Sequence, residues 1–332
     1  MTSQTILRTP IRAAVVGSGT LAGHLYNLSS QDDVDIIAIT TTDPRKLGKK
    51  AADVFRVSGP DISLQHLDDV LDSQLIDVVI HAGPQDSVWS TFEQTARIGI
   101  DALTTAGAFF DDGSAECSAV TRLAERTGAR LLGTGTFPGF TADTLPITLS
   151  RILPNPVDIS IRLTADLHSW SQSVLKAEIG IGEPPREPDI ALMRYVQSSA
   201  HMIALSLPRT GGASWEYRQS FLTSEHPLTF GTIEVAPGNI AGFSLHARAL
   251  VGASVVDLIW ESSLVGAPTG GEIIVSNAAR GFEIETRFTG VPPYPATAVR
   301  LMNSVRPLRT LPAGLRYASE LPVIAAPGAD RR

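Results

Sequence analysis

The sequence has a single cysteine, Cys117, in 332 residues. That excludes an internal disulfide and leaves no cysteine cluster for a metal. Its place in a helix-like segment, Ser114–Thr127, points to a packed thiol rather than a nucleophile. Basic charge is also scarce. The formal net charge is −7, and no Lys/Arg run supplies the electrostatic footprint of a nucleic-acid partner. No apolar run approaches the ~20 residues of a membrane span. Met1–Arg8 lacks the apolar centre of a signal peptide, so a cytoplasmic protein with no membrane partner is expected. The seven histidines are scattered without a His-x-x-x-His pair, so no metal site is expected.

What is present describes an ordinary globular chain with room for two cores, 43% hydrophobic and 18% charged. The first 150 residues alternate strand-like and helix-like segments. Ile11–Val16, Val34–Ile39, Leu75–Ala82, Ala102–Thr105 and Arg130–Gly133 read as strands. Helices are expected from Thr20, from Asp43 (with Pro44 in its first turn), over Ser87–Arg97 and over Ser114–Thr127. Continuous apolar strands between helices imply a parallel sheet covered on both faces. After Leu153-Pro-Asn-Pro156 the alternation stops. Val157–Leu163, Thr232–Val235, Ser244–Ile259 and Glu272–Phe288 read as strands of a mixed or antiparallel sheet, with Pro184–Pro188 a rigid loop and Ala191–Leu207 a helix. A helix over Pro295–Val305 is expected to return to the first domain, and the Asp330-Arg-Arg end to fray. The expected fold is α/β, a doubly wound parallel sheet followed by an α+β domain with a mixed sheet. The expected domains are residues 1–150 plus 292–332 for a dinucleotide, and 151–291 for substrate and dimer contacts.

The motif that organises this reading is Gly17-Ser18-Gly19-Thr20-Leu21-Ala22, directly after the first strand. In a Rossmann unit the first glycine makes the tight turn and the second lets the backbone approach a pyrophosphate. The small residue in third place allows close helix–strand packing. The alternative is a tight turn with no ligand. About 20 residues on, where an acid would bind a ribose 2′-hydroxyl, the chain has Thr40-Thr41-Thr42, followed by Arg45 and Lys46. Hydroxyls and cations suit a 2′-phosphate, so NADP(H) is favoured, with NAD(H) still open. Asp43 is either a ribose acid or a helix cap. The ends of the next strands, His81-Ala82-Gly83 and Thr105-Ala106, are expected to flank the nicotinamide ribose. His81 is a proton relay or a structural histidine.

The loop Gly133-Thr-Gly-Thr136-Phe137-Pro138-Gly-Phe140-Thr-Ala-Asp-Thr-Leu-Pro146 resembles the Gly-Thr-Gly-x-Asn-Pro-Gly-Phe-x-x-Asp motif of the 2,4-diaminopentanoate dehydrogenase family. That family is related to dihydrodipicolinate reductase and includes native amine dehydrogenases. Glu234–Phe243 and Ala296–Leu308, then Pro312–Leu315, resemble further segments of it, so the resemblance runs nearly the full length. It implies a Rossmann domain, an α+β domain, a homodimer, and hydride transfer in an interdomain cleft between NAD(P)H and a C=N carbon. It makes Thr136, Phe137, Pro138, Phe140 and Ala108 the substrate-binding candidates. The chain departs from the family at two points. The family's acidic loop is Thr105-Ala106-Gly107-Ala108 here, and its Asn before Pro-Gly is Phe137.

A hydride reduction needs a proton donor within hydrogen-bond reach of the substrate heteroatom. His168 and Asp166, after the first strand of the second domain, rank first as catalytic candidates, then His201; Glu178 and Glu183 flank a Gly-Ile-Gly turn. The function expected is NAD(P)H-dependent oxidation or reduction at a C–N centre of a small, fairly apolar substrate, of amine dehydrogenase or imine reductase type. The alternatives are a carbonyl or enoyl reductase using the same cofactor, or a non-catalytic NADP-binding sensor.

Overall fold

The computed structural model describes residues 9–29, 34–73, 75–187, 192–208, 212–266 and 268–322. Pro188, Ala191 and the Asp330–Arg332 end lie outside them. Two compact units form, Met1–Gly135 with Tyr294–Arg332, and Thr136–Pro293.

The strands of the first unit are β1 (Ile11–Val16), β2 (Val34–Thr40), β3 (Leu64–Gln65), β4 (Val78–His81), β5 (Asp101–Thr104), β6 (Arg130–Gly133) and β15 (Gly314–Arg316). They lie in the order β15-β6-β5-β4-β1-β2-β3, with every pair parallel. The helices are α1 (Thr20–Leu28), α2 (Ala51–Phe55), α3 (Leu67–Asp72), α4 (Val88–Arg97), α5 (Ala115–Thr127) and α9 (Pro293–Leu308). One sheet face is covered by a core containing Leu25, Tyr26, Ile36 and Ile39 with Leu301 and Val305 of α9. The other is covered by Val79, Phe92, Ala102, Val120 and Leu131. Apolar side chains on both faces explain why these strands read as continuous apolar runs. The fold is a doubly wound sheet whose order reverses between β1 and β4, where such sheets bind ligands.

One helix differs from expectation. No helix starts at Asp43; the chain runs through turns until α2. The Asp43 carboxylate accepts the Arg45 backbone N–H at 3.0 Å, closing a local turn. Gly48 at φ +74 then diverts the chain. Leu75–Ala82 contracts to β4, and β3 with α3 joins the expected elements.

The second unit holds α6 (Thr144–Ser150), β7 (Asp158–Asp166), a short α7 (Gln172–Val174) running into a π turn over Leu175–Ile179, and α8 (Met193–Ser206). Then come β8 (Ala213–Thr223), β9 (Leu228–Phe230), β10 (Ile233–Val235), β11 (Ile240–Val251), β12 (Ser254–Ser263), β13 (Gly270–Asn277) and β14 (Phe282–Thr289). Six strands form a mixed sheet in the order β14-β13-β7-β12-β11-β8. Only β7 and β12 pair in parallel. Ile161, Phe243, Leu258 and Ile273 are fully buried beside Val196 and Ile203 of α8; each such side chain contributes about 1.5–3 kcal/mol of burial. The unit begins at Thr136 rather than after residue 150 because Ala142 and Ile147 belong to its core.

Candidate active site

In the first unit, the glycine turn sits at the reversal of strand order. Gly17 has φ +118, and a Cβ there would lie 2.8 Å from the Ala82 carbonyl oxygen. Only glycine meets both conditions. Its N–H donates to the Thr40 carbonyl at 3.1 Å, tying the turn to the end of β2. Gly19 precedes α1 with no side-chain cap, and the first turn carries no acid. A Cβ at Gly19 would meet nothing within 4 Å. The first N–H groups of α1 thus have no side-chain cap, and Gly19 leaves room beside the turn, as a pyrophosphate requires. Ala22 is fully buried, and Thr20 is exposed. The residues present fit a dinucleotide.

At the end of β2, Ser18 Oγ and Thr41 Oγ1 lie 2.9 Å apart. Thr42 is exposed. Arg45 grips the Asp43 carboxylate with two hydrogen bonds of 2.9 Å, and this pairing lowers the Asp43 pKa to about 2. Lys46 instead places Nζ 2.8 Å from the Ser18 carbonyl oxygen and 3.3 Å from Ser18 Oγ.

The His81 ring is fully buried. Its Nε2 lies 3.0 Å from the Pro84 carbonyl oxygen and its Nδ1 lies 3.1 Å from Thr91 Oγ1. A carbonyl only accepts, so Nε2 carries a proton, while the single Thr91 hydroxyl proton lies between Nδ1 and the Ser87 carbonyl oxygen 3.0 Å away. Burial lowers the ring's pKa, against weaker opposing hydrogen bonds. Both ring nitrogens of His81 face groups of the first unit, Pro84 and Thr91. What this strand end offers a ligand is the Ala82 and Gly83 backbone. After β5, Ala106 N–H donates to Thr104 Oγ1 at 3.1 Å. Gly107 and Ala108 both adopt positive φ, +103 and +52, an unfavourable conformation for alanine. Gly133 admits this loop, since a Cβ there would lie 2.6 Å from the Ala108 carbonyl oxygen. Farther along, ligand atoms of Asp111, Asp112 and Cys117 lie within 4.8 Å of one another. Burial and the neighbouring Asp111 raise the Cys117 thiol to about 11, so it is a packed, protonated thiol.

In the second unit, the loop from Thr136 folds around a buried carboxylate. Asp143, fully buried, accepts from Gly139 N–H at 2.8 Å, Thr144 N–H at 2.5 Å, Thr144 Oγ1 at 3.0 Å and Ser199 Oγ at 2.8 Å. Burial raises its pKa while those four donors oppose the rise. The Thr141 N–H and hydroxyl both donate to the Thr136 carbonyl, at 2.9 and 2.8 Å. Phe137–Pro138 is a cis peptide. Phe137 rests its ring edge-on against Trp260, centroids 4.7 Å apart. Trp170 and Tyr195 meet the same tryptophan at 5.9 and 6.3 Å. The buried indole nitrogen of Trp170 has no hydrogen-bond partner among the described residues. Pro138 is buried, and Phe140 is 41% exposed. Among the described residues this aromatic cluster is the feature sequence reasoning missed. Its members are scattered along the chain, and only β12 and α8 gather them around Trp260.

The three catalytic candidates do not converge as one group. His168 Nδ1 lies 2.6 Å from Asp166 Oδ1, and both side chains are about half exposed. Burial pushes the Asp166 carboxyl up, but hydrogen bonds from the His168 backbone and ring outweigh it and lower the pKa. The Nδ1–H bond to the carboxylate leaves Nε2 free to exchange a proton. His201, on α8, places Nδ1 2.8 Å from the Gln197 carbonyl oxygen and stacks on Trp215 at 4.0 Å. Its aromatic stacking accounts for its position. Glu178 lies on the π turn with its side chain exposed.

Comparison with solved structures finds this fold elsewhere. An amine dehydrogenase from Mycobacterium smegmatis is similar with a TM-score of 0.81 at 16% identity, over 95% of this chain and 97% of that one. A dipicolinate-bound dihydrodipicolinate reductase from Paenisporosarcina sp. TG-14 has a TM-score of 0.51 at 14% identity, over 93% and 97%. An engineered D-amino acid dehydrogenase bound to NADP+ has a TM-score of 0.52 at 14% identity, over 94% of both chains. At these identities the likeness is one of fold. No family model matches the sequence, and no curated protein matches it.

Proposed function

We propose that the chain is an NAD(P)H-dependent oxidoreductase acting at a C–N centre, of amine dehydrogenase or imine reductase type, with NADP(H) favoured and a small, fairly apolar substrate. The observation that carries this reading is the Gly17 turn. It is locked against Ala82 at the strand-order reversal, ahead of an uncapped α1, in a fold shared nearly end to end with an amine dehydrogenase.

When bound, the nicotinamide supplies a hydride to the substrate carbon. The chain's own residues do the rest. Gly17 to Ala22 hold the pyrophosphate, and Thr41, Thr42 and Lys46 hold the adenosine ribose. The Ala82, Gly83, Thr105 and Ala106 backbone flanks the nicotinamide ribose. Thr136, Phe137, Pro138 and Phe140 are the substrate-binding residues of the second unit, where the apolar rings around Trp260 exclude water, and Ala108 is the candidate in the first. His168, oriented by Asp166 through Nδ1, donates the proton from Nε2 to the substrate nitrogen. His201 ranks behind it, with its ring stacked on Trp215. The family resemblance adds a homodimer. No helix among the described residues is long and apolar enough to cross a membrane.

Carbonyl reduction is a second reading, favoured by the Ala106-Gly107-Ala108 loop, which has no carboxylate to handle ammonia. The test is NADPH consumption with a panel of small ketones, with and without ammonia, and with preformed cyclic imines. Consumption that depends on ammonia or an imine supports C–N chemistry. Consumption with the ketone alone supports carbonyl reduction. Tight NADPH binding with no turnover supports a sensor.

A further inference from the structure

Two cations follow β2, Arg45 and Lys46, and the structure treats them differently. Arg45 has turned its guanidinium onto the adjacent Asp43, with Nε and a terminal nitrogen each 2.9 Å from a carboxylate oxygen. A bidentate pair uses the flat fork that would otherwise grip a phosphate. With the Asp43 carboxyl lowered to about 2, the carboxylate that Arg45 faces is ionised through the neutral range. The Arg45 side chain is 85% exposed and points at no other described group.

Lys46 reaches back across 28 positions to the glycine turn. Its ammonium donates to the Ser18 carbonyl at 2.8 Å and lies 3.3 Å from Ser18 Oγ. An ammonium has three donors, so one remains. Ser18 Oγ in turn meets Thr41 Oγ1 at 2.9 Å, and the turn is tied to β2 through Gly17 and Thr40. One ammonium and two hydroxyls therefore gather where the second strand of a Rossmann unit meets the adenosine ribose. The adjacent carboxylate, that of Asp43, is held by Arg45, and the Asp43 backbone N–H donates to Thr41 Oγ1 at 3.1 Å.

We infer that Lys46, with the Ser18 and Thr41 hydroxyls, selects the adenosine 2′-phosphate of NADP(H), and that Arg45 does not. This rests on the dinucleotide reading above. The 2′-phosphate takes the free ammonium donor and the one hydroxyl proton that Ser18 and Thr41 do not use between themselves, while Arg45 stays with Asp43.

The test measures binding rather than turnover. NADPH, NADH, adenosine 2′,5′-bisphosphate and 5′-AMP are titrated against wild type, Lys46→Met, Arg45→Met and Thr41→Val, with circular dichroism confirming each fold. Lys46→Met is expected to weaken NADPH and the bisphosphate by roughly tenfold or more, the scale of one lost charge-assisted hydrogen bond. NADH and AMP should change by less than about threefold. Thr41→Val should shift selectivity the same way to a lesser degree, and it keeps the inference open to refutation if the lysine variant does not fold. Arg45→Met should leave the NADPH-to-NADH ratio in place. Equal losses for NADPH and NADH in Lys46→Met would overturn the inference while leaving the dinucleotide reading standing. So would loss of selectivity in Arg45→Met alone. Wild type that binds none of the four ligands would overturn both.

Discussion

Asp143 and Ser199 are 56 residues apart in sequence and joined by a 2.8 Å hydrogen bond inside the second unit. That contact links the loop bearing Phe137 to α8. Tyr195, one helical turn before Ser199, meets the same Trp260 on which Phe137 rests. Ser199→Ala removes a donor to a buried carboxylate and should cost about 2 kcal/mol. Urea denaturation followed by tryptophan fluorescence measures it, and an unchanged midpoint would show that Asp143 does not depend on α8.

The same carboxylate sets a pH dependence. Burial raises the folded-state pKa of Asp143 above its unfolded value. The folded state therefore binds this proton more readily, and the group favours folding more as pH falls. That contribution is full below the unfolded pKa, near 3.9, and is lost as pH rises through the folded value. Asp143→Asn cannot titrate. The stability gap between wild type and this variant should therefore move in favour of wild type between pH 7 and mildly acid solution. A gap that moves the other way would mean that the four donors outweigh burial.

His81 titrates with the opposite sign. Its pKa is lowered by burial, so its contribution to stability is present above the unfolded value, near 6.5, and is lost as pH falls through the folded one. The ring should remain neutral with its proton on Nε2 at pH 6.5. Nitrogen-detected imidazole NMR reads both tautomer and titration directly, and an Nδ1–H form or a pKa above the ordinary value would contradict the hydrogen-bond assignment.

Much of the first unit is legible in the sequence because its signals are local. A strand ending in Gly17-Ser-Gly needs only neighbouring residues to be read, and α5 begins at a Ser114 cap whose side chain accepts the Cys117 N–H. Asp43 shows the limit of local reading. Before Pro44 it resembles a helix cap, but Arg45 two residues on offers a better partner, and a turn forms instead. The second unit depends on distant pairs. Trp215 and Tyr217 alternate with Glu216 and Arg218 in β8, a strand pattern that can be recognised once Ala249 and Ala247 of β11 stand opposite. The gathering of Phe137, Trp170 and Tyr195 around Trp260 has no local signature at all.

The glycine turn carries a prediction of its own. Gly17→Ala adds a Cβ 2.8 Å from the Ala82 carbonyl oxygen at φ +118. The resulting strain is about 1–3 kcal/mol, and the turn must shift away from the strand ends. Ala22, fully buried in the first turn of α1, gives the same test from the other side through Ala22→Leu. Both variants should lose NADPH binding measured by fluorescence, and retained affinity in either would show that the turn does not hold the pyrophosphate.

The proton-donor assignment predicts that His168→Ala lowers kcat by about 10²–10⁴, the usual contribution of a positioned acid, and leaves the NADPH Kd unchanged. Asp166→Asn should do less, because the imidazole remains. His201→Ala should leave kcat close to wild type, since that ring is held by Trp215. Stopped-flow single turnovers on the first substrate found would separate the three.

The most direct test of the whole account is NADPH oxidation by the purified protein with a panel of small ketones, in the presence and absence of ammonia, alongside preformed cyclic imines. Turnover is expected to require ammonia or to begin from the imine. Turnover of the ketone at the same rate without ammonia, or no turnover of any C=N substrate by protein saturated with NADPH, would contradict this expectation.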